Sequence, residues 1–254
     1  MRTAVISDIH GNLEAFTSVR DDIQSRQVDR IVSLGDNIGY GADSESVVQL
    51  LIAGGIPSVL GNHEKAVLDD KVLRWHTGEV RRAIEIAAAG LSESALGYLR
   101  ECRTSLSDSG CLFVHGFPPD SFRLYLHQAG DDQLQRAFTE MKADLCFVGH
   151  THQIRLLFYE KERVMRQPVD RPQLPIPKNR KYLINAGSVG QPRDGDVRAR
   201  YVIWDSRTRR LEIRAVEYDA AAAARKIIAA GIPARFAALV RGEEYNHSEQ
   251  TALT

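Results

Sequence analysis

Short, nearly continuous apolar runs recur along the first part of the chain. They occupy residues 3–7, 29–34, 57–60, 111–114 and 145–148, and most are rich in Val, Ile, Leu or Phe. Runs of this length bounded by turn residues are the pattern of buried strands. Between them the period changes. Behind Asn12, a residue able to cap a helix, Leu13, Phe16, Val19 and Ile23 fall at helical spacing. A second helix is predicted over 44–53, and a third over 79–89, stopping at Gly90. The next opens at Ser92, with Leu91 and Leu96 placed as a hydrophobic staple. Asp131 is read as the cap of a helix whose Leu134, Ala137, Phe138 and Met141 share one face. The opening order strand–helix–strand–helix–strand predicts right-handed crossovers and parallel pairing. The first three strand ends then lie together on one edge of one sheet.

Past residue 152 the texture turns antiparallel. Ile154, Leu156 and Phe158 alternate as a half-buried strand does, and 161–180 is basic and Pro-rich, the pattern of a loop or loose hairpin. A strand over 181–184 is followed by a hairpin of 201–204 and 211–218 around Asp205-Ser206. Asp219 caps an Ala-rich helix ending at Gly231, Pro233 opens a short last helix, and a polar, fraying tail runs from Glu243. The chain reads as one domain over 1–254, with a helical insert over 65–110 and a helical tail over 219–254. There is no internal repeat.

Composition narrows the function classes. The 254 residues carry 33 acidic and 33 basic side chains, a formal net charge of zero. Nothing in that balance suits bulk-charge binding to duplex nucleic acid or an anionic membrane. No run of ~18 apolar residues is present to span a bilayer, and no signal peptide precedes Asp8. Three cysteines without paired spacing, Cys102, Cys111 and Cys146, read as reduced residues of a cytoplasmic protein.

The chemistry collects where the strands give out. The first run ends in Asp8-Ile9-His10-Gly11-Asn12, the second in Gly35-Asp36-Asn37 and the third in Gly61-Asn62-His63-Glu64. The later ones end in His115-Gly116 and Gly149-His150-Thr151-His152. Taken singly, each has an ordinary structural reading as a turn carboxylate or a semi-buried histidine. Five of the eight histidines, however, sit in these motifs. Ligand sites in open α/β sheets form outside the carboxyl ends of strands. Histidines at i and i+2 on extended backbone aim at one spot. The pooled carboxylate, imidazole and amide donors suit Mn²⁺, Fe²⁺ or Zn²⁺ better than Mg²⁺, and the absence of cysteine from the set argues against a structural zinc site.

The ordered motifs Asp-x-His, Gly-Asp, Gly-Asn-His-Glu, Val-His-Gly and Gly-His-Thr-His, spread over roughly residues 1–205, resemble the calcineurin-like metallophosphoesterase superfamily. The compact size and the 185–190 run resemble its small prokaryotic phosphodiesterase and phosphatase branch. The resemblance implies a four-layer α/β/β/α sandwich with mixed sheets and a centre of two divalent ions (Mn, Fe, Zn or Ni, with Mg the poorer fit). It implies that Asp8, His10 and His152 hold one ion, that Asn62, His115 and His150 hold the other, and that Asp36 bridges them. His63 would face the substrate as the catalytic residue. One position departs from the pattern. The family commonly reads Gly-Asp-x-x-Asp, whose second aspartate steadies that histidine, and here the position is Gly39.

The implied function is metal-dependent hydrolysis of a small phosphate ester, mono- or diester, including nucleotides. Asn12 and Arg193 are candidate substrate contacts; Asn12 reads equally as a cap, and Arg193 as a surface arginine beside an acid. A metal-containing protein-interaction scaffold and a nuclease of short oligonucleotides are the competing classes. Trp75 and His76, in the helical insert, read as packing residues, and nothing in the sequence specifies an oligomeric state.

Overall fold

The computed structural model describes residues 1–243. Its strands are β1 (Arg2–Ile6), β2 (Arg30–Ser33), β3 (Ser105–Asp108), β4 (Cys111–Val114), β5 (Leu145–Val148), β6 (Ile154–Glu160), β7 (Arg163–Gln167), β8 (Gln173–Pro175), β9 (Lys181–Ala186), β10 (Ala199–Asp205) and β11 (Arg210–Val216). They form two mixed sheets, ordered β2-β1-β10-β11-β8 and β3-β4-β5-β9-β6-β7. β1 lies parallel to β2 and antiparallel to β10. In the second sheet β4, β5 and β9 run parallel.

The helices are α1 (Leu13–Gln24), α2 (Ser44–Ala53), α3 (Asn62–Leu68), α4 (Asp70–Leu73), α5 (Gly78–Ala89), α6 (Glu93–Glu101), α7 (Asp131–Glu140), α8 (Ala220–Ala229) and α9 (Ala234–Val240). Strand periodicity of two sorts the side chains into layers. Val5, Val32, Val202 and Trp204 pack against Phe113, Phe147, Tyr182 and Ile184 in the core between the sheets. Their neighbours in sequence, Ala4, Ile6, Tyr201 and Ile203, face Phe16, Val19 and Ile23 of α1 and Val47 and Leu51 of α2. On the far side Val114, Cys146, Val148 and Leu183 cover Leu134 and Phe138 of α7. The result is the four-layer α/β/β/α arrangement. Both faces of the central strands are buried, which is why their sequences are apolar throughout instead of alternating.

Four local expectations are corrected. Residues 57–60 make only isolated bridges, Ser58 to Ser33 and Val59 to Arg103, because the chain turns directly into α3. The 161–180 stretch contains β7, in a hairpin with β6, and β8, which edges the first sheet. The residue preceding α7 is Gly130, while the Asp131 carboxylate accepts from Arg166. The 65–110 stretch is not helical throughout, since its end is β3, hydrogen-bonded to β4. Asn12, Ser92 and Asp219 do cap α1, α6 and α8, each accepting a backbone N–H. Cys111 and Cys146 are buried and Cys102 half-buried, all as free thiols. Among the described residues no helix is long and apolar enough to cross a membrane. The polar tail expected from Glu243 lies, beyond that residue, outside the described residues.

Candidate metal centre

The backbone leaving β1 and the backbone leaving β2 continue side by side. Asp8, His10 and Gly11 donate their N–H groups to the carbonyls of Gly35, Asp36 and Asn37 at 3.0, 2.9 and 2.8 Å. This zipper carries Asp8 and His10 to Asp36. The His150 N–H donates to Asp8 Oδ2 at 3.0 Å and so brings in the loop after β5. The backbone here is not the extended one expected from the i, i+2 spacing. Asp8, His10, Asp36, His150 and His152 all have positive φ, between 49° and 67°. Left-handed backbone at a non-glycine residue costs energy and persists only where surrounding structure imposes it. It also means that His150 and His152 do not share one target.

His152 turns toward Asp8 and His10. Its Nε2 is 3.1 Å from His10 Nε2 and 3.3 Å from Asp8 Oδ1. His150 turns the other way, its Nδ1 3.1 Å from His115 Nε2, which also lies 3.1 Å from Asn62 Oδ1. Asp36 stands between the groups, with Oδ2 3.8 Å from His10 Nε2 and 3.3 Å from His115 Nε2. Asp8-His10-His152 and Asp36-His115-His150 are each compact enough to hold a metal ion. A third trio, His10-Asp36-His63, overlaps them.

Each imidazole is oriented through its other nitrogen. His10 Nδ1 lies 3.2 Å from Ile38 O, His115 Nδ1 2.8 Å from Leu34 O, His152 Nδ1 2.6 Å from Gln191 O, and His150 Nε2 3.1 Å from Arg123 O. A carbonyl only accepts, so those nitrogens carry the protons, and the inward nitrogens of the neutral rings of His10 and His152 carry lone pairs. These two lone pairs, 3.1 Å apart, repel unless a cation lies between them. Asp8 Oδ1 is buried with no donor, an arrangement a cation also satisfies. The donor set fits divalent metal on the chemistry of its own atoms.

The electrostatics set His115 apart from the other three rings. Burial holds His10 and His150 well below the usual imidazole range, and His152 below it, so these rings are neutral donors. Burial also disfavours the charged form of His115, but Asp36 prevails and raises it to about 9. Burial pushes the carboxyls of Asp8 and Asp36 up, yet His152 acting on Asp8, and His115 and His63 acting on Asp36, hold both well below their ordinary value.

His63 sits at the start of α3, its backbone N–H donating to Asp36 Oδ1 at 2.9 Å and its Nε2 4.0 Å from Asp36 Oδ2. Burial drives it down to about 3. Its Nδ1 is buried with no partner, and it lies against Gly39, where any Cβ would collide with it. Space, not a carboxylate, is therefore what position 39 offers the ring. Tyr40 does the holding. Its ring meets His63 edge-on at 4.6 Å, leans on His10 at 4.4 Å and stacks on Phe236 of α9 at 4.3 Å.

Asn12 has both ends engaged: Oδ1 caps α1 and Nδ2 donates to Gly190 O at 2.9 Å. Arg193 is half-buried beside Tyr40 and His152, its guanidinium donating to Gln191 Oε1 at 2.8 Å. Sequence reasoning missed several neighbours. Glu64 received no role, yet its buried carboxylate accepts from the N–H groups of Asp36, Asn37 and Gly61. Trp75, His76, Arg123 and Tyr125 line a pocket of about 270 Å³ that also borders Asn62 and His150. No spacing rule links these residues to the motifs; the position of Trp75-His76 inside the insert was the only signal.

Comparison with known proteins agrees with this geometry. Residues 1–209 match the model of the calcineurin-like phosphoesterase superfamily domain. An uncharacterized protein of Methanocaldococcus jannaschii is 34% identical over 236 residues, covering 91% of this chain and 93% of its own. The crystal structure of a metallophosphoesterase from Sphaerobacter thermophilus, 30% identical, superposes with a TM-score of 0.81 over 96% of this chain and 100% of its own. A hypothetical protein from Pyrococcus horikoshii shares the fold at 15% identity, with a TM-score of 0.76 over 96% of this chain and 99% of its own. The two buried His/Asp clusters at the joined strand ends could hold divalent metal, and the chain belongs to the calcineurin-like phosphoesterase superfamily.

Proposed function

We propose that the protein hydrolyses a small phosphate ester at a centre of two divalent cations. Asp8, His10 and His152 would hold one, Asn62, His115 and His150 would hold the other, and Asp36 would serve both. The observation that carries this reading is the position of Asp36 Oδ2, within 3.8 Å of His10 Nε2 and 3.3 Å of His115 Nε2 at once. Nitrogen and oxygen donors without sulfur favour Mn²⁺, Fe²⁺, Zn²⁺ or Ni²⁺ over Mg²⁺. Such a pair of cations supplies an activated water and neutralises charge on the phosphoryl oxygens.

The chain's own groups do the rest. His63, neutral through burial and without an acceptor at Nδ1, carries its proton on Nε2, the atom nearest Asp36. From there it donates a hydrogen bond toward the phosphoryl or leaving oxygen. Arg193 adds positive charge beside Tyr40 at the rim, and Asn12 positions the 8–12 loop against Gly190.

The test is hydrolysis of bis(p-nitrophenyl) phosphate and p-nitrophenyl phosphate by chelator-stripped protein reloaded with Mn²⁺. Turnover that requires metal supports the reading, and the preferred substrate separates diesterase from monoesterase. Equal rates with and without metal would sink it.

A further inference from the structure

Trp75 is a large aromatic side chain left 45% exposed, and it lines the 270 Å³ pocket. The same pocket is lined by Asn62 and His150, both placed above on one cation. The ester substituent of a phosphate held at the centre therefore has this pocket beside it.

The chemistry of that end is specific. The Arg123 guanidinium lies over the indole, 4.5 Å from its centroid, and Phe122 lies parallel to it at 6.4 Å and 6°. The Arg123 carbonyl is the partner of His150 Nε2, so the platform is tied to the cluster through one residue. Tyr125 stacks on His150 at 3.8 Å and forms a side wall. His76 and Gln128 add polar edges. Aromatic planes with an arginine stacked among them bind planar rings, and polar groups at the edge read heteroatoms. A sugar or alkyl substituent lacks the planar face that stacks on such a pair.

Resting on the phosphoesterase reading above, we propose that the Trp75–Arg123 platform is a subsite for a planar aromatic group esterified to the phosphate, and that this group is a nucleobase. The substrate class is then a nucleotide ester. The pocket volume accommodates a nucleoside beside the phosphate and not a duplex, in keeping with the zero net charge of the chain.

The chain has two tryptophans, and Trp204 is buried at 3% exposure, so binding at the pocket reports through Trp75 fluorescence. Mn²⁺-loaded full-length protein is titrated with AMP, phenyl phosphate and ribose 5-phosphate. Stacking makes AMP bind on the order of tenfold tighter than ribose 5-phosphate, with quenching of the exposed tryptophan. Read by titration calorimetry, since these variants lack the fluorescent reporter, Trp75→Leu collapses that advantage and Trp75→Phe retains part of it. Equal affinity for AMP and ribose 5-phosphate overturns the aromatic subsite while leaving the phosphoesterase reading intact. Phenyl phosphate binding tighter than AMP overturns the nucleobase assignment. Binding of none of the three overturns the subsite and the phosphoesterase reading together.

Discussion

Glu64→Gln tests whether the centre depends on a buried carboxylate that ties the 35–37 turn to the start of α3. Glu64 is fully buried. Oε2 accepts from Asp36 N at 2.9 Å and Gly61 N at 3.0 Å, and Oε1 from Asn37 N at 2.6 Å and Asn37 Nδ2 at 3.2 Å. Glutamine keeps one oxygen and turns the other into an NH₂ group facing two donors. Two hydrogen bonds to a charged acceptor are lost, at ~1.5–3 kcal/mol each. Part of that is offset, because burial and the neighbouring Asp36 already strain the charge and raise Glu64 to about 7. The net expectation is about 2–4 kcal/mol of destabilisation, or roughly 4–16 °C in melting temperature for a chain of this size. Released, the 36–37 turn no longer aims Asp36, and Mn²⁺ affinity falls about 10–100-fold, as for other groups that orient metal ligands. Thermal melts of the chelated protein measure the first effect and calorimetric Mn²⁺ titration the second. A variant melting within a degree of wild type, with unchanged Mn²⁺ affinity, would refute the reasoning.

Four further outcomes follow from the same geometry. Asp36→Ala removes the shared ligand, so metal-dependent turnover drops to background while circular dichroism still reports a folded chain; retained turnover would count against the bridge. Gly39→Ala places a Cβ against His63 Nδ1 at a φ of +125°, and should cost ~1–3 kcal/mol and lower kcat more than it raises KM. Phe236→Ala empties the stack under Tyr40 and should cost ~3–5 kcal/mol by denaturant melts, with a fall in kcat that an independent C-terminal packing role would not produce. Burial raises the Asp22 carboxyl, but Arg214 and Tyr201 prevail and hold it below 3.8. A depressed carboxyl stabilises above its unfolded value, so wild type should exceed Asp22→Asn by ~1–3 kcal/mol at pH 6, and the gap should close as pH falls below about 3.8. A gap independent of pH in urea melts would contradict that assignment.

Legible in the sequence were the positions of the central strands, their two-sided burial and the clustering of chemistry at their ends. These are local matters: an apolar run such as Leu145–Val148 needs cover on both faces wherever it lies, and the polar motif behind it must fall at an edge. The pairing of motifs into two clusters was legible only through family resemblance. Where each side chain aims was fixed only by long-range packing. Left-handed backbone at His150 and His152 sends two nearby histidines to different clusters, and it is imposed by contacts such as Asp8 Oδ2 to His150 N, across 142 residues. The support of His63 followed the same logic. Position 39 lacks the family's aspartate, and the ring is held instead by Tyr40 and, through it, by Phe236 near the end of the described chain. The pocket bounded by Trp75 and Arg123 joins two loops that no periodicity relates. Local pattern records what each segment must bury, whereas the site depends on long-range contacts that exist only once the sheets have packed.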